Sequence, residues 1–169
     1  MNYTSIIKAA LLVIDMQKAC YGGSSKASMD SAAETINRAA DFFREKKFPV
    51  VWIQNEDRES GIYPGTEGYD LIDALKAEPG EKRIIKHYYN SFNKTDLKEY
   101  LQGEAVDTVI VTGFCAEYCV ISTYQGAADL DLFPVFLKNA IAGGIKEHVQ
   151  FIENIRDIVT LNVLKKLLA

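Results

Sequence analysis

At 169 residues, with 48% hydrophobic and 25% charged side chains, the chain can bury a core without metal or disulfide staples, and one globular domain over 1–169 is expected. A formal charge of -4 and a pI near 5.2, with Lys and Arg scattered among carboxylates, argue against nucleic acid or an anionic membrane surface as partner. The longest apolar stretches, such as Ala9 to Ile14 and Val106 to Val111, fall far short of the ~20 residues that cross a bilayer. The polar start, Met1 to Ser5, lacks the basic opening and cleavage site of a secretory leader, so a cytoplasmic address is expected.

The first predicted strand is Ala10 to Ile14, continuously apolar and therefore buried on both faces. A helix over Ser31 to Lys47 follows, with Ser31 and Glu34 at capping-box spacing and Ile36, Ala39, Ala40 and Phe43 on one side. Pro49 to Ile53 is the second strand. The stretch Asn55 to Gly68, punctuated by Gly61, Pro64 and Gly65, is irregular, and a long loop of this kind in a compact domain is usually functional. Arg83 to Lys86 is a weaker strand. Thr95 to Leu101 fits a short helix with Leu97, Tyr100 and Leu101 inward. Val106 to Thr112, a helix over Cys119 to Leu130, the strand Phe133 to Leu137 and a helix over Glu147 to Ile155 come next. Asp157 to Leu161 is a last weak strand. Alternation of this kind predicts a three-layer α/β/α fold, a single open and mostly parallel sheet of about six strands with helices on both faces.

Ligands of such sheets bind outside the carboxyl ends of the strands. There the sequence places Asp15, then Gln54 and Asn55, then Lys86, then the run from Gly113 to Cys119. An odd cysteine count excludes a full disulfide framework, and in a reducing compartment a free thiol is a buried small hydrophobe or a nucleophile. Cys119 falls at the strand-to-helix turn, where helix amides and the nearby Lys86 favour a thiolate, with Asp15 as the proton acceptor. Each residue also has a plain structural reading: a turn-capping aspartate, a solvated lysine, a buried cysteine. Their convergence on one sheet edge favours chemistry.

The segments LLVIDMQ around Asp15, IIKHYYNSF around Lys86 and VTGFCAEYCV around Cys119 resemble, in order and spacing, the three signature segments of the isochorismatase-like cysteine hydrolase superfamily; KNAIAG at 138–143 resembles its stretch after the fifth strand. The resemblance implies an isochorismatase-like fold and a catalytic triad of Asp15, Lys86 and Cys119. It also implies a cis peptide between Phe114 and Cys115 and an oxyanion hole from the amides of Cys115 and Cys119. Gln17, Asn55 and Tyr88 are the candidate substrate contacts. The nicotinamidase branch holds a metal through Asp-x-His after the second strand; here Asn55-Glu56-Asp57 stands there, and the two histidines, His87 and His148, lie elsewhere. No metal and no other cofactor is expected.

Ala19-Cys20 replaces the family's frequent Asp-Phe, which removes an aromatic wall that Tyr21, Tyr63 or Tyr88 would have to supply, and makes nicotinamide a poorer fit. Cys20 itself is expected to line the pocket or pack beneath it. Isochorismatases, which act on a vinyl ether, are known in the family without the cysteine, so its retention favours acyl transfer from a small amide, ureido or carbamoyl compound. The alternatives are nicotinamidase or isochorismatase activity, a thiol sensor built on Cys115 and Cys119, whose C-x-x-x-C spacing differs from C-x-x-C redox motifs, and a binding homologue without turnover. The family's habit of even oligomers, with apolar Leu161 to Leu168 and Tyr88-Tyr89 as uncovered surface, predicts a homo-oligomer.

Overall fold

The computed structural model describes residues 7–169. Its strands are β1 (Ala9–Ile14), β2 (Val50–Asn55), β3 (Lys82–Lys86), β4 (Thr108–Phe114), β5 (Phe133–Ala142) and β6 (Ile158–Val159). They form one six-stranded sheet in the order β3-β2-β1-β4-β5-β6, parallel throughout. Parallel neighbours need crossovers, and the helices that provide them cover both faces. On one face lie α1 (Ser25–Glu45) and α5 (Leu161–Leu167); on the other lie α2 (Leu97–Gly103), α3 (Ile121–Ala128) and α4 (Lys146–Asn154). Alternate residues of β1 serve the two cores. Ala9, Leu11 and Val13 meet Met29, Ile36 and Phe43 of α1, while Leu12 and Ile14 share the other core with Leu97, Tyr124 and Phe136. This is the expected three-layer α/β/α arrangement, and among the described residues no helix is long and apolar enough to cross a membrane.

Three elements differ from the sequence expectation. Helix α1 begins at Ser25 rather than Ser31, because buried Met29, Ala32 and Ala33 extend its apolar stripe toward the N-terminus. Ser31 and Glu34 therefore sit inside the helix and form no capping box. The final strand is only Ile158–Val159; Thr160 then accepts a hydrogen bond from the Val163 amide and starts α5. Leu161, Leu164 and Leu168, expected as open surface, are buried against the α1 face by their helical spacing, leaving Val163 and Leu167 outside. Strand β5 runs on to Ala142 because the register of β4 against β5 shifts between Val111 and Gly113, with Asn139 at φ +65°.

Candidate active site

Asp15 leaves β1 at φ +48°, a left-handed conformation that Asp adopts more readily than bulkier residues. Across the ladder the preceding residue, Ile14, pairs with Gly113, at φ +114°, where an added Cβ would lie 2.1 Å from the Ile14 carbonyl oxygen. Only glycine lets β4 approach β1 so closely at this point. β4 then ends in a cis Phe114–Cys115 peptide, and the chain turns through a π-helical segment, Ala116–Val120, that carries Cys119 and runs into α3. Lys86, the last residue of β3, sits two strands from β1, a gap of about 10 Å that calls for a long side chain.

The three side chains meet. Lys86 Nζ lies 2.7 Å from Asp15 Oδ2 and 3.3 Å from Cys119 Sγ, and it donates to the Tyr88 carbonyl at 3.1 Å. An ammonium has three N–H donors, and all three are used. Lys86 is 0% exposed and Asp15 4%. Burial pushes the Asp15 carboxyl above its ordinary value while Lys86 pulls it down. Asp15 Oδ1 is the one buried side-chain oxygen or nitrogen among the described residues with no hydrogen-bond partner.

The Cys119 thiol is pushed up to about 12, first by burial and then by the Asp15 charge, against the pull of Lys86. This corrects the thiolate expected from the sequence: while Asp15 is ionised, Cys119 rests as a thiol. Burial and the carboxylate outweigh one shared cation. Cys115 is likewise pushed up to about 12, by burial and by Glu117, whose Oε2 accepts from its Sγ at 2.9 Å. Glu117 in turn meets His148 Nδ1 at 2.7 Å, linking the π-helical segment to α4. Cys20, Cys115 and Cys119 are all free.

A cavity of about 200 Å³ opens beside Cys119, lined also by Asp15, Cys20, Asn55, Ile62, Tyr89 and Tyr118. Gln17 lines it but is occupied as a clamp: Nε2 donates to the carbonyls of Asn55 and Tyr69, both at 3.0 Å, and Oε1 accepts from the Asn55 amide at 2.8 Å. It sets the position of Asn55. Tyr88 lies outside the cavity, exposed, its hydroxyl accepting from Lys94. Neither Tyr21, bonded to Asp30 and Lys26, nor Tyr63 lines the cavity. The aromatic wall is instead Tyr89, Tyr118 and Phe114, with the two tyrosine rings 5.5 Å apart and tilted by 31°. Two contacts seat the segment that carries Tyr89. Buried Ser91 bonds Thr123 of α3 at 2.8 Å, and Asn90 packs where Gly126 has no side chain.

The residues present do not fit a resident metal ion. Asp57 is taken up by Ser60 and the turn amides, Glu56 by Arg58, and His87 by the Glu56 carbonyl. Among the described residues no three His, Cys, Asp or Glu side chains gather into a ligand set.

An all-parallel sheet with Asp15, Lys86 and Cys119 brought together at its carboxyl edge is the isochorismatase-like architecture. The chain belongs to the isochorismatase family of hydrolases: the family's Isochorismatase domain matches residues 9–162. It is 29% identical over 138 residues to the isochorismatase family protein YrdC of Bacillus subtilis, covering 80% of this chain and 74% of that one. Against the ureidoacrylate amidohydrolase RutB of Methylorubrum extorquens it is 28% identical over 168 residues, covering 77% and 68%. An isochorismatase-like hydrolase from Alkaliphilus metalliredigens superposes with a TM-score of 0.85 at 26% identity, covering 94% and 98% of the two chains.

Proposed function

We propose that this hydrolase cleaves the C–N bond of a small amide, ureido or carbamoyl compound through a thioester on Cys119, without a metal. The carrying observation is the single buried ammonium of Lys86 in contact with both Asp15 and Cys119 at the edge of a cavity. Asp15 takes the thiol proton, and the resulting thiolate is paired with Lys86. Sulfur attacks the carbonyl carbon, and the amides of Cys115 and Cys119 hold the oxyanion. Asp15 returns its proton to the departing nitrogen as the C–N bond breaks, leaving the thioester. Water, deprotonated by the same carboxylate, adds to the thioester; the acid leaves and Cys119 regains its proton from Asp15. Raised pKa values suit the role: a carboxyl held above its ordinary value is a better base, and a thiol that ionises only by transfer to it stays unreactive until substrate arrives. The ureido chemistry named for one relative supports the substrate class.

The test is ammonia release from a panel of small amides and ureides by wild type and Cys119→Ala, with mass spectrometry for the acyl adduct. Turnover lost by several orders of magnitude in the variant, with its fold intact, is expected. Turnover that survives in Cys119→Ala refutes the thioester route.

A further inference from the structure

We propose that the cavity beside Cys119 takes an uncharged substrate: a small, flat, largely apolar amide or ureide that carries no carboxylate. The inference rests on the hydrolase reading for the reaction and on the cavity lining for the substrate. Lys86 is the cation at this site, and its three donors are committed to Asp15, Cys119 and the Tyr88 carbonyl. None is left for a substrate anion. Asp15 adds a negative charge of its own. Among the described residues, no Arg, Lys or His side chain lines the cavity; beside Asp15, the neutral amides Gln17 and Asn55 and the cysteines, its lining is apolar or aromatic, with Ala19, Ile62, Phe114 and Tyr89.

The approach is acidic. The adjoining groove shares Asn55 and Tyr89 with the cavity and holds Glu56, Asp57 and Glu59 against Arg58 and His87. Arg58 is spent on Glu56 at 2.5 Å and stands over the Tyr63 ring at 5.3 Å. Asp57 accepts from the Ser60 hydroxyl and from the amides of Glu59 and Ser60, contacts that hold its charge in place. A carboxylate entering here would lose its hydration, cross an acidic rim and find no counter-ion, whereas a neutral amide gives up far less. Size and shape narrow the class further. About 200 Å³ is small beside the ~300–1,000 Å³ of drug-sized sites. Tyr89 and Tyr118, tilted by 31°, give a wall for a planar group. Ureidoacrylate, the substrate named for one relative, is an anion and falls outside this class.

Iodoacetamide and iodoacetate test the charge preference directly, since they are close in size and differ in charge. Their alkylation rates at Cys119 are read by peptide mapping and compared with the ratio shown by a short unstructured cysteine peptide. The protein is expected to favour iodoacetamide by a further factor of about a hundred. Ile62→Arg, which adds a cation to the lining, should narrow that factor by about tenfold. A ratio equal to that of the peptide, or one favouring iodoacetate, overturns the proposal. Binding of a small acid and its amide to Cys119→Ala, followed by NMR titration, reads the same preference with no reaction at sulfur; tighter binding of the acid overturns it. Ammonia release separates the two readings. Equal turnover of a carboxylated amide and its neutral counterpart removes the charge preference and leaves the hydrolase, while no turnover of either, with the alkylation ratio intact, removes the hydrolase and leaves the preference.

Discussion

Replacing Lys86 by methionine isolates the buried ion pair, because Met keeps the apolar length of the stem and deletes the ammonium. At 2.7 Å and an effective dielectric of about 20, the attraction between Lys86 and Asp15 is about 6 kcal/mol, opposed by the cost of drying both groups. Removing one partner leaves the other buried and uncompensated, so a loss of about 3–5 kcal/mol is expected at neutral pH. Urea unfolding gives the number, with Asp15→Asn and the double variant closing a thermodynamic cycle. Asn is the choice at position 15 because it tolerates the left-handed backbone there. The double variant, with no buried charge, should recover much of the loss. A pH signature accompanies it. The folded Asp15 carboxyl lies above its unfolded value near 3.8, so its contribution is fully present below that value and fades as pH rises through the folded one. Without the downward pull of Lys86 the folded value climbs further. The deficit of Lys86→Met should therefore shrink on acidification and widen toward neutral pH. A variant within about 0.5 kcal/mol of wild type at neutral pH, with no coupling to Asp15, refutes the buried-pair account.

Gly113→Ala should cost more than about 3 kcal/mol in the same urea assay, because its Cβ would meet the Ile14 carbonyl oxygen at 2.1 Å on a left-handed backbone; a neutral effect would mean that β4 and β1 separate readily. Activity on any productive amide should be unchanged after exhaustive chelation and dialysis, and full loss with rescue by one divalent ion would refute the metal-free route. A homo-oligomer is expected from the apolar surface that one chain leaves open, with Phe151 exposed on α4 and Ile145 and Ile155 exposed at its two ends; light scattering at micromolar concentration that returns the 18.9 kDa monomer counts against it.

The sheet was legible because its central strands are buried on both faces and therefore read as unbroken apolar runs. Ala9–Ile14 and Val50–Ile53 need no partner to be recognised. What escaped depends on contacts between distant segments. Helix α1 begins among serines, which are poor helix formers, and its first turns exist because Met29 and two alanines find the sheet. The two-residue β6 and the helix after it share an apolar sequence, and only packing against α1 decides that Leu161 to Leu167 coils.

The same division runs through the site. Asp15, Lys86 and Cys119 were readable because strand ends are fixed by topology, and the parallel order brings three of them to one edge. The choice between Tyr88 and Tyr89 was not. Period-two alternation from inward-facing Lys86 would point Tyr88 inward too, but β3 ends at Lys86, and the Ser91 and Asn90 contacts to α3 turn the chain so that Tyr89 faces the cavity. The ionisation of Cys119 was hidden for a related reason. Neighbouring Lys86 suggested a thiolate, yet the outcome is set by how deeply both are buried and by Asp15 competing for the same ammonium. A lysine with all its donors spent can organise a base and a nucleophile, but it leaves nothing to hold an anion. The protonated thiol and the proposed preference for uncharged substrates therefore trace to the same buried, fully engaged ammonium.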